Sequence, residues 1–153
     1  MKIDKRNWPV LIVSGQFAMQ SDEGSRLREL ECELKEVQGC DVVRSLCYED
    51  AVDVVHTRAD LGAIVMDWDL PLEGVGECST PETLLTAIRE RNADIPVCLL
   101  TDRMSMGSIP TQVLAEINEC LWKTMDTPEF WQAALKHCCL PMWKMCTLSF
   151  LQS

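Results

Sequence analysis

The chain has 153 residues, of which 47% are apolar and 25% charged, and its formal net charge is −10. This length is enough for one domain with a hydrophobic core, and the composition is that of a globular protein. The negative charge argues against a nucleic-acid partner, because binding to phosphate backbones requires clustered Lys and Arg. The apolar runs are too short to cross a bilayer and no signal peptide is recognisable, so we expect a cytoplasmic protein without a membrane span.

The first apolar run, residues 8–15 (WPVLIVSG), has the β-branched content of a buried strand. Between Ser21 and Gly39 the period changes, because four apolar residues recur at helical spacing and acids crowd the first turn. We therefore predict a first strand and a first helix. The next segments, residues 41–46 and 48–58, predict a second strand and a second helix in the same way.

The rest of the chain repeats this alternation of strand and helix. Three further strands are predicted at residues 61–67, 95–102 and 119–124. Three further helices are predicted at residues 81–92, at residues 110–117 and from residue 127 onward. Thr80 is the expected N-cap of the first of these helices, with Pro81 in its first turn, and Thr127 and Pro128 have the same roles in the last.

Five strand–helix units imply a parallel sheet with helices on both faces, which is a three-layer αβα architecture. Right-handed crossovers favour the flavodoxin-like, doubly wound strand order 2-1-3-4-5. We assign residues 1–131 to this single domain. In such a sheet, ligands bind at the carboxyl ends of the strands.

Polar residues stand at the predicted strand ends. The run at residues 63–71 (AIVMDWDLP) ends in Asp67, with Asp69 two residues further on. These positions resemble the active site of a phosphoacceptor receiver domain: DWDLP is similar to the receiver pattern Asp-x-x-Met-Pro. Thr101 stands where receivers have a hydroxyl residue, and Lys123 where they have a lysine. We retain these four residues as receiver-like strand-end positions.

The end of the first strand departs from the receiver pattern. Receivers have two acids there, whereas this chain has Ser14, Gly15 and Gln16. Phosphoryl transfer to a carboxylate requires a divalent metal, and Mg²⁺ prefers carboxylate ligands, which Asp69 in the following loop cannot supply alone. We therefore expect Asp67 to be a hydrogen-bonded strand-end acid, and we assign no catalytic, cofactor-binding or metal-binding residue.

The nine cysteines contain no CxxC pair, and only two histidines, His56 and His137, accompany them. A zinc site requires paired ligands, which this spacing does not offer, and we give neither histidine a catalytic role. We expect reduced thiols packed as small apolar side chains. This expectation applies to the six cysteines that stand singly in apolar or helical patterns, which are Cys32, Cys40, Cys47, Cys78, Cys98 and Cys120.

Three stretches carry a more specific resemblance: DWDLP, NADIPVCLLTDR and DTPEF, at residues 67–71, 92–103 and 126–130. Over residues 8–131 the chain resembles the N-terminal, receiver-like wing domain of bacterial pyridoxal-phosphate-dependent ornithine/lysine/arginine decarboxylases. The resemblance implies a parent enzyme that removes CO₂ from a basic amino acid, with the cofactor bound to a lysine of another domain. The family's Ser-x-His-Lys pattern for that lysine is absent here.

The resemblance therefore implies a chain without catalytic activity or cofactor, which associates with itself or with decarboxylase subunits. In some family members the wing also contributes to a regulatory nucleotide site, for which we assign no residues. Two alternatives stay open. One is a stand-alone receiver or pseudo-receiver in signalling. The other is a flavodoxin-like enzyme, although the chain has neither a GxGxxG nor a Walker pattern.

Residues 132–153 differ from the rest of the chain because they contain no acid, although the chain has 24. Read one base out of frame, MWKMC followed by Thr gives Val-Glu-(Asn or Asp)-Val-(Tyr or His). With permitted codons the whole tail reads GRIEALLPPYVENVYPVFFAK, a proline- and aromatic-rich linker. We predict that residues 132–153 are a frameshifted remnant of the linker to a missing catalytic domain. The alternative is a natural C-terminal helix that ends in a hydrophobic flap.

Overall fold

The computed structural model describes residues 9–37, 41–68, 80–101 and 109–122. Five strands form one parallel sheet in the order β2-β1-β3-β4-β5, which confirms the predicted fold and strand order. The strands are β1 (Val10–Val13), β2 (Val42–Ser45), β3 (Ala63–Asp67), β4 (Val97–Thr101) and β5 (Glu119–Trp122). The fifth predicted helix, from residue 127, and the tail at residues 132–153 lie outside the described residues.

Within the described ranges, four helices connect these strands. They are α1 (Asp22–Cys32), α2 (Tyr48–Thr57), α3 (Pro81–Arg91) and α4 (Thr111–Leu114). A 3₁₀ turn at Gly15–Ala18 precedes α1, and a π-helical turn at Glu33–Val37 continues it. The predicted cap at Thr80 is present, because its hydroxyl accepts a hydrogen bond from the Thr83 amide, and Ser21 caps α1 in the same way through the Gly24 amide. The predicted cap at Thr127 lies outside the described residues. None of the described helices has the length and apolar content that a bilayer span requires.

Successive strand residues point to opposite faces of the sheet, so the core has two halves. The α1-side face packs strand residues against the 3₁₀ turn, α1 and the π turn that continues it. Its buried members are Val10, Ile12, Phe17, Leu27, Leu30, Leu34, Ala63, Val65, Cys98, Leu100 and Leu121. The opposite face is covered by α2, α3 and α4. From the strands it includes Leu11, Val13, Ile64, Met66, Val97 and Leu99. Burial on both faces explains why the strands read as unbroken apolar runs.

Helix α4 is shorter than the predicted 110–117, and the reason lies in the neighbouring strand. The Asn118 amide donates to the Val97 carbonyl at 2.8 Å, and the Asn118 side-chain oxygen accepts from the Val97 amide at 2.9 Å. Asn118 therefore pairs with the start of β4 and fixes the point where β5 begins. The chain must leave the helix several residues before Asn118, because residues 115–117 form the turn that leads from α4 into this pairing.

The cysteine prediction is partly wrong. Cys98 is buried and Cys120 half-buried, as expected, but Cys32 and Cys47 are exposed. Cys32 lies on the solvent side of α1. Cys47 is the N-cap of α2, and its sulfur accepts from the Asp50 amide at 3.5 Å, which keeps it at the surface. Cys40 and Cys78 lie outside the described residues.

An ion pair closes the α1-side face at the edge strand β2. The Arg44 guanidinium donates two hydrogen bonds of 2.6 Å to the Glu31 carboxylate, and it lies 4.5 Å from the centre of the Phe17 ring. These hydrogen bonds lower the pKa of Glu31, and the same contact raises the pKa of Arg44. The Glu31 side chain is only 12% exposed, whereas Arg44 is 45% exposed, so water screens the pair from one side.

We expect Arg44→Gln to lower the free energy of unfolding by about 1 kcal/mol at neutral pH, because the bidentate pair and the ring contact are both lost. A group with a lowered folded-state pKa stabilises the fold above its ordinary pKa and loses that effect as the pH falls. The difference in unfolding free energy between the variant and the natural chain should therefore shrink below pH 4.5, the ordinary pKa of a glutamate such as Glu31. Urea unfolding at neutral and at acid pH measures this.

Arg58→Gln is the matched control. Arg58 also makes a bidentate pair, with Asp60, but both side chains are well exposed. Its replacement should change the stability by less than about 0.5 kcal/mol. Equal losses in the two variants would contradict the special role of the Arg44 pair.

Candidate functional site

Four buried polar side chains lie at the carboxyl ends of adjacent strands and form what we call the strand-end site. They are Ser45, Asp67 and Thr101, which end β2, β3 and β4, and Ser14, which directly follows β1. Val13 pairs with Met66 in the register of β1 and β3, so Ser14 lies level with Asp67. The crossovers of a doubly wound sheet diverge between these two strands, which is where such folds hold ligands.

The Ser14 hydroxyl has two roles. It accepts a hydrogen bond from the Gln16 amide at 3.1 Å and so caps the 3₁₀ turn. It also donates to Oδ2 of Asp67 at 3.4 Å. This second distance is long for an O–H···O contact, whose usual range ends near ~3.0 Å. Ser14 therefore orients the Asp67 carboxylate only loosely, and its side chain is a capping group rather than an acid.

Asp67 is also held through its backbone. The Tyr48 hydroxyl donates to the Asp67 carbonyl oxygen at 2.5 Å in a buried setting. Tyr48 is the first residue of α2, so this bond ties the start of α2 to the end of β3. The sequence analysis missed this contact. The available signal was the chain's single tyrosine, which stands at the first position of a predicted helix.

Ser45 joins the site from the edge strand. Its hydroxyl donates to Oδ2 of Asp50 at 2.9 Å, and its carbonyl accepts from the Ser14 amide at 2.9 Å. Asp50 lies in the first turn of α2, where a carboxylate is favoured by the helix dipole. Asp50 therefore belongs to the local structure of α2.

Of the four predicted strand-end residues, the structure describes two. Asp67 ends β3 and is 2% exposed, and Thr101 ends β4 and is fully buried. Asp67 accepts the long hydrogen bond from Ser14 described above, and its receiver-like role stays a prediction. Asp69 and Lys123 lie outside the described residues, so their placement beside Asp67 stays a prediction.

The described part of the site does not fit a divalent metal. Mg²⁺ requires octahedral oxygen coordination and in receivers uses the acids after strand one, whereas Asp67 meets a serine hydroxyl at that position. Within the described ranges, no group of three or more His, Cys, Asp and Glu side chains could hold a metal ion. The residues do not fit pyridoxal phosphate either. Lys35, the one lysine in the described ranges, is exposed in the π turn that continues α1 and is not one of the residues of the strand-end site.

We expect Tyr48→Phe to lower the free energy of unfolding by about 1 kcal/mol, because the buried Asp67 carbonyl loses a donor while the ring packing is kept. Thermal or urea unfolding measures the loss. Thr57→Val, on the same helix, removes a hydroxyl that bonds the Asp53 carbonyl at an exposed position. The unfolding free energy of the Thr57→Val variant should stay within about 0.5 kcal/mol of that of the natural chain. A Tyr48→Phe variant as stable as Thr57→Val would contradict the role of the buried bond.

The fold and the strand-end site define a receiver-like α/β domain whose strand-three aspartate is buried against a serine. Residues 23–137 match the family described as Orn/Lys/Arg decarboxylase, N-terminal domain. The chain belongs to this family, which confirms the resemblance drawn from the sequence. The match ends at residue 137, six residues beyond the predicted boundary at residue 131. No curated protein matches the sequence.

Solved structures agree on the fold. Lysine decarboxylase A from Pseudomonas aeruginosa is similar with a TM-score of 0.68 and 21% identity over 90% of this chain, which corresponds to 19% of that protein. A response regulator receiver domain protein from Clostridium thermocellum is similar with a TM-score of 0.65 and 13% identity, over 90% of this chain and 98% of that one. The chemotaxis response regulator CheY4 of Vibrio cholerae is similar with a TM-score of 0.61 and 16% identity, over 86% of this chain and 98% of that one. At these identities the likeness is one of fold.

Proposed function

We propose that this chain is a non-catalytic domain whose role is association, with further copies of itself or with subunits of a decarboxylase that acts on a basic amino acid. The observation that carries the non-catalytic part is the setting of Asp67. Its carboxylate is buried and accepts a hydrogen bond from Ser14, a capping hydroxyl, at the position where phosphorylated receivers need an acid. Without that acid, the charge of an incoming phosphoryl group lacks the metal that neutralises it.

Under this proposal, the chain itself takes no part in the chemistry of the parent reaction. Pyridoxal phosphate removes CO₂ by forming a Schiff base with a lysine and accepting the electrons of the broken bond. Lys35 is exposed and so lacks the enclosed site in which a lysine could hold this cofactor. The chain also corresponds to only 19% of the length of the lysine decarboxylase that it resembles. We assign the cofactor and the catalytic lysine to a separate domain of the parent protein.

Association is the remaining role for a small α/β domain of such a family. The proposal is supported by membership of a decarboxylase family and by the likeness to one part of a much longer lysine decarboxylase chain. A net charge of −10 makes non-specific self-association unfavourable at low salt, so any assembly should rest on a specific interface.

The first test asks whether the strand-end site accepts phosphate. The purified chain is incubated with Mg²⁺ and acetyl phosphate and then examined by intact mass spectrometry, with a receiver domain of demonstrated phosphoacceptor activity as a positive control. We expect the control to gain one phosphoryl group and this chain to gain none. An acid-labile phosphoryl group on Asp67 would overturn the proposal in favour of a receiver acting in signalling.

The second test concerns association. Light scattering after size exclusion, over a wide range of concentrations, should give a discrete multiple of the chain mass, because homo-oligomers close with point symmetry. A second arm mixes the chain with purified lysine decarboxylase A and looks for co-elution. A monomer at every concentration, together with no co-elution, would contradict association as the role.

A further inference from the structure

The outer edge of β2 offers backbone hydrogen-bonding groups to a further strand. Among the described strands only β1 pairs with β2, so β2 ends the sheet on this side. The carbonyls of Asp41 and Ser45 accept hydrogen bonds of 2.9 Å from amides at the start of β1 and just after its end. Because backbone groups alternate in direction along a strand, the N–H and C=O of Val42 and Arg44 point away from β1. The edge of β2 therefore presents two donors and two acceptors.

The charge on this edge is neutralised and drawn aside. Natural edge strands often carry a charged side chain, which disfavours pairing with another strand. Arg44 is the charged side chain of β2, but Glu31 binds its guanidinium, which lies over the Phe17 ring on the α1-side face. Val42 on that face and Val43 on the opposite one are each only partly buried. A strand placed beside β2 would therefore bury apolar surface on both faces without burying an unpaired charge.

We propose that two copies of this chain associate by antiparallel pairing of their β2 strands, with the two-fold axis at Val43. This inference rests on the proposed function and deepens it, since it names a second copy as the partner and β2 as the surface. With the axis at Val43, Val42 of each copy lies opposite Arg44 of the other, and their outward backbone groups exchange hydrogen bonds. All four outward groups of each strand are then used. The edge is thus complementary to itself, as a two-fold contact requires.

Charge and strand length select this register over its neighbours. Moving the axis to Arg44 would place two guanidinium groups directly opposite each other, and like charges in that position are destabilising. Moving the axis to Val42 would leave Arg44 opposite residue 40, which precedes the strand. In the proposed register each Arg44 faces a valine and keeps its own Glu31 partner. Val43 meets its equivalent in the second copy, and such β-branched pairs stabilise sheets.

The helices leave room for this pairing. Helix α2 contacts both β1 and β2, which places it above the gap between these two strands. Strands lie about 4.8 Å apart, so the axis of α2 is about 5 Å from the two-fold axis and about 10 Å from its equivalent in the second copy. Packed helices commonly lie about 8–10 Å apart. The two copies of α2 would therefore meet at an ordinary packing distance.

Disulfide cross-linking tests the register. The two copies of Val43 form a non-hydrogen-bonded pair, whose Cα atoms lie about 4.5 Å apart and so within reach of a disulfide. The Val43→Cys variant is made together with Cys32→Ser and Cys47→Ser, which remove the two exposed cysteines of the described ranges. Oxidised glutathione accepts the two electrons when the bond forms. Peptide mass spectrometry should find position 43 linked to itself at least about tenfold more often than position 25 in the matched Ser25→Cys control.

Light scattering tests the edge in the otherwise natural chain. Val42→Pro removes an amide that points away from β1, a change that edge strands tolerate. Val42→Thr keeps this amide and the β-branched shape, and is the matched control. The dimer of the proline variant lacks two hydrogen bonds, so its dissociation constant should rise at least about tenfold, whereas that of the threonine variant should stay unchanged.

The outcomes separate this inference from the proposed function. Oligomers that show no link at position 43 and no response to Val42→Pro would overturn the β2 pairing, while association would stand as the role of the chain. A natural chain that stays monomeric at every concentration would also overturn the pairing. The co-elution arm with lysine decarboxylase A would then test the proposed function on its own.

Discussion

The variant Ser14→Asp should be destabilised by about 3 kcal/mol in the absence of metal, because it places a second carboxylate in a buried position beside Asp67. Ser14 is fully buried and its hydroxyl now donates to Oδ2 of Asp67. An aspartate there has no proton to donate at neutral pH, so an attractive contact becomes a repulsion between like charges. Mg²⁺ should restore part of the loss, since two carboxylates offer the cation the oxygen ligands that one does not.

Thermal unfolding of the variant with and without Mg²⁺ measures both effects. Ser14→Asn is the matched control, because it has the same shape without the charge and its amide can still donate to Asp67. The Asn variant should stay within about 1 kcal/mol of the natural chain and should not respond to Mg²⁺. Acid pH protonates carboxylates and should therefore reduce the difference in stability between the Asp and Asn variants. Equal stability of the Asp and Asn variants in metal-free buffer would refute the repulsion.

The second large effect is expected for Gly24→Ala, with a net loss of about 2 kcal/mol of unfolding free energy. A Cβ on Gly24 would lie 2.5 Å from the Met19 carbonyl oxygen and 2.6 Å from that of Gln16. Both are backbone atoms of the segment that joins β1 to α1, so a side chain cannot simply turn away. The helix start would have to separate from the 3₁₀ turn, and the gain in helix propensity of about 1 kcal/mol cannot offset that.

The neighbouring substitution Ser25→Ala is the control for Gly24→Ala. Ser25 is exposed on α1, and its hydroxyl accepts only a long contact of 3.4 Å from Arg28. We expect a change within about 0.5 kcal/mol, measured by urea unfolding alongside the glycine variant. If Gly24→Ala proved as stable as Ser25→Ala, the close approach of α1 to the preceding segment would not be a constraint on the fold.

The sequence predicted the fold because each of its signals is local. Apolar runs bounded by polar residues marked every strand of the sheet, and the change of period at Ser21 and the cap at Thr80 marked where two helices begin. The helix that the sequence misjudged, α4, ends early for a reason that is not local. Asn118 pairs with Val97, twenty-one residues earlier in the chain, and no pattern around residue 114 reveals that partner.

Some features of the candidate site could likewise be predicted from the sequence, and others could not. Asp67 and Thr101 could be assigned to strand ends because alternation fixes where a strand stops, and the serine at position 14 could be recognised as a departure from the receiver pattern. That Cys32 and Cys47 are exposed could not be read from their apolar neighbours, because exposure depends on which side of an element faces the sheet.

By itself, therefore, the sequence determined the number and order of the strands, the helices between them and the absence of an acid after β1, since these depend on residue identity and spacing along the chain. The tertiary structure alone decided that the Tyr48 hydroxyl meets the Asp67 carbonyl, that Arg44 pairs with Glu31 over Phe17, and that Gly24 has no room for a side chain. Those contacts join residues from different elements, and their distances are fixed only when the elements pack.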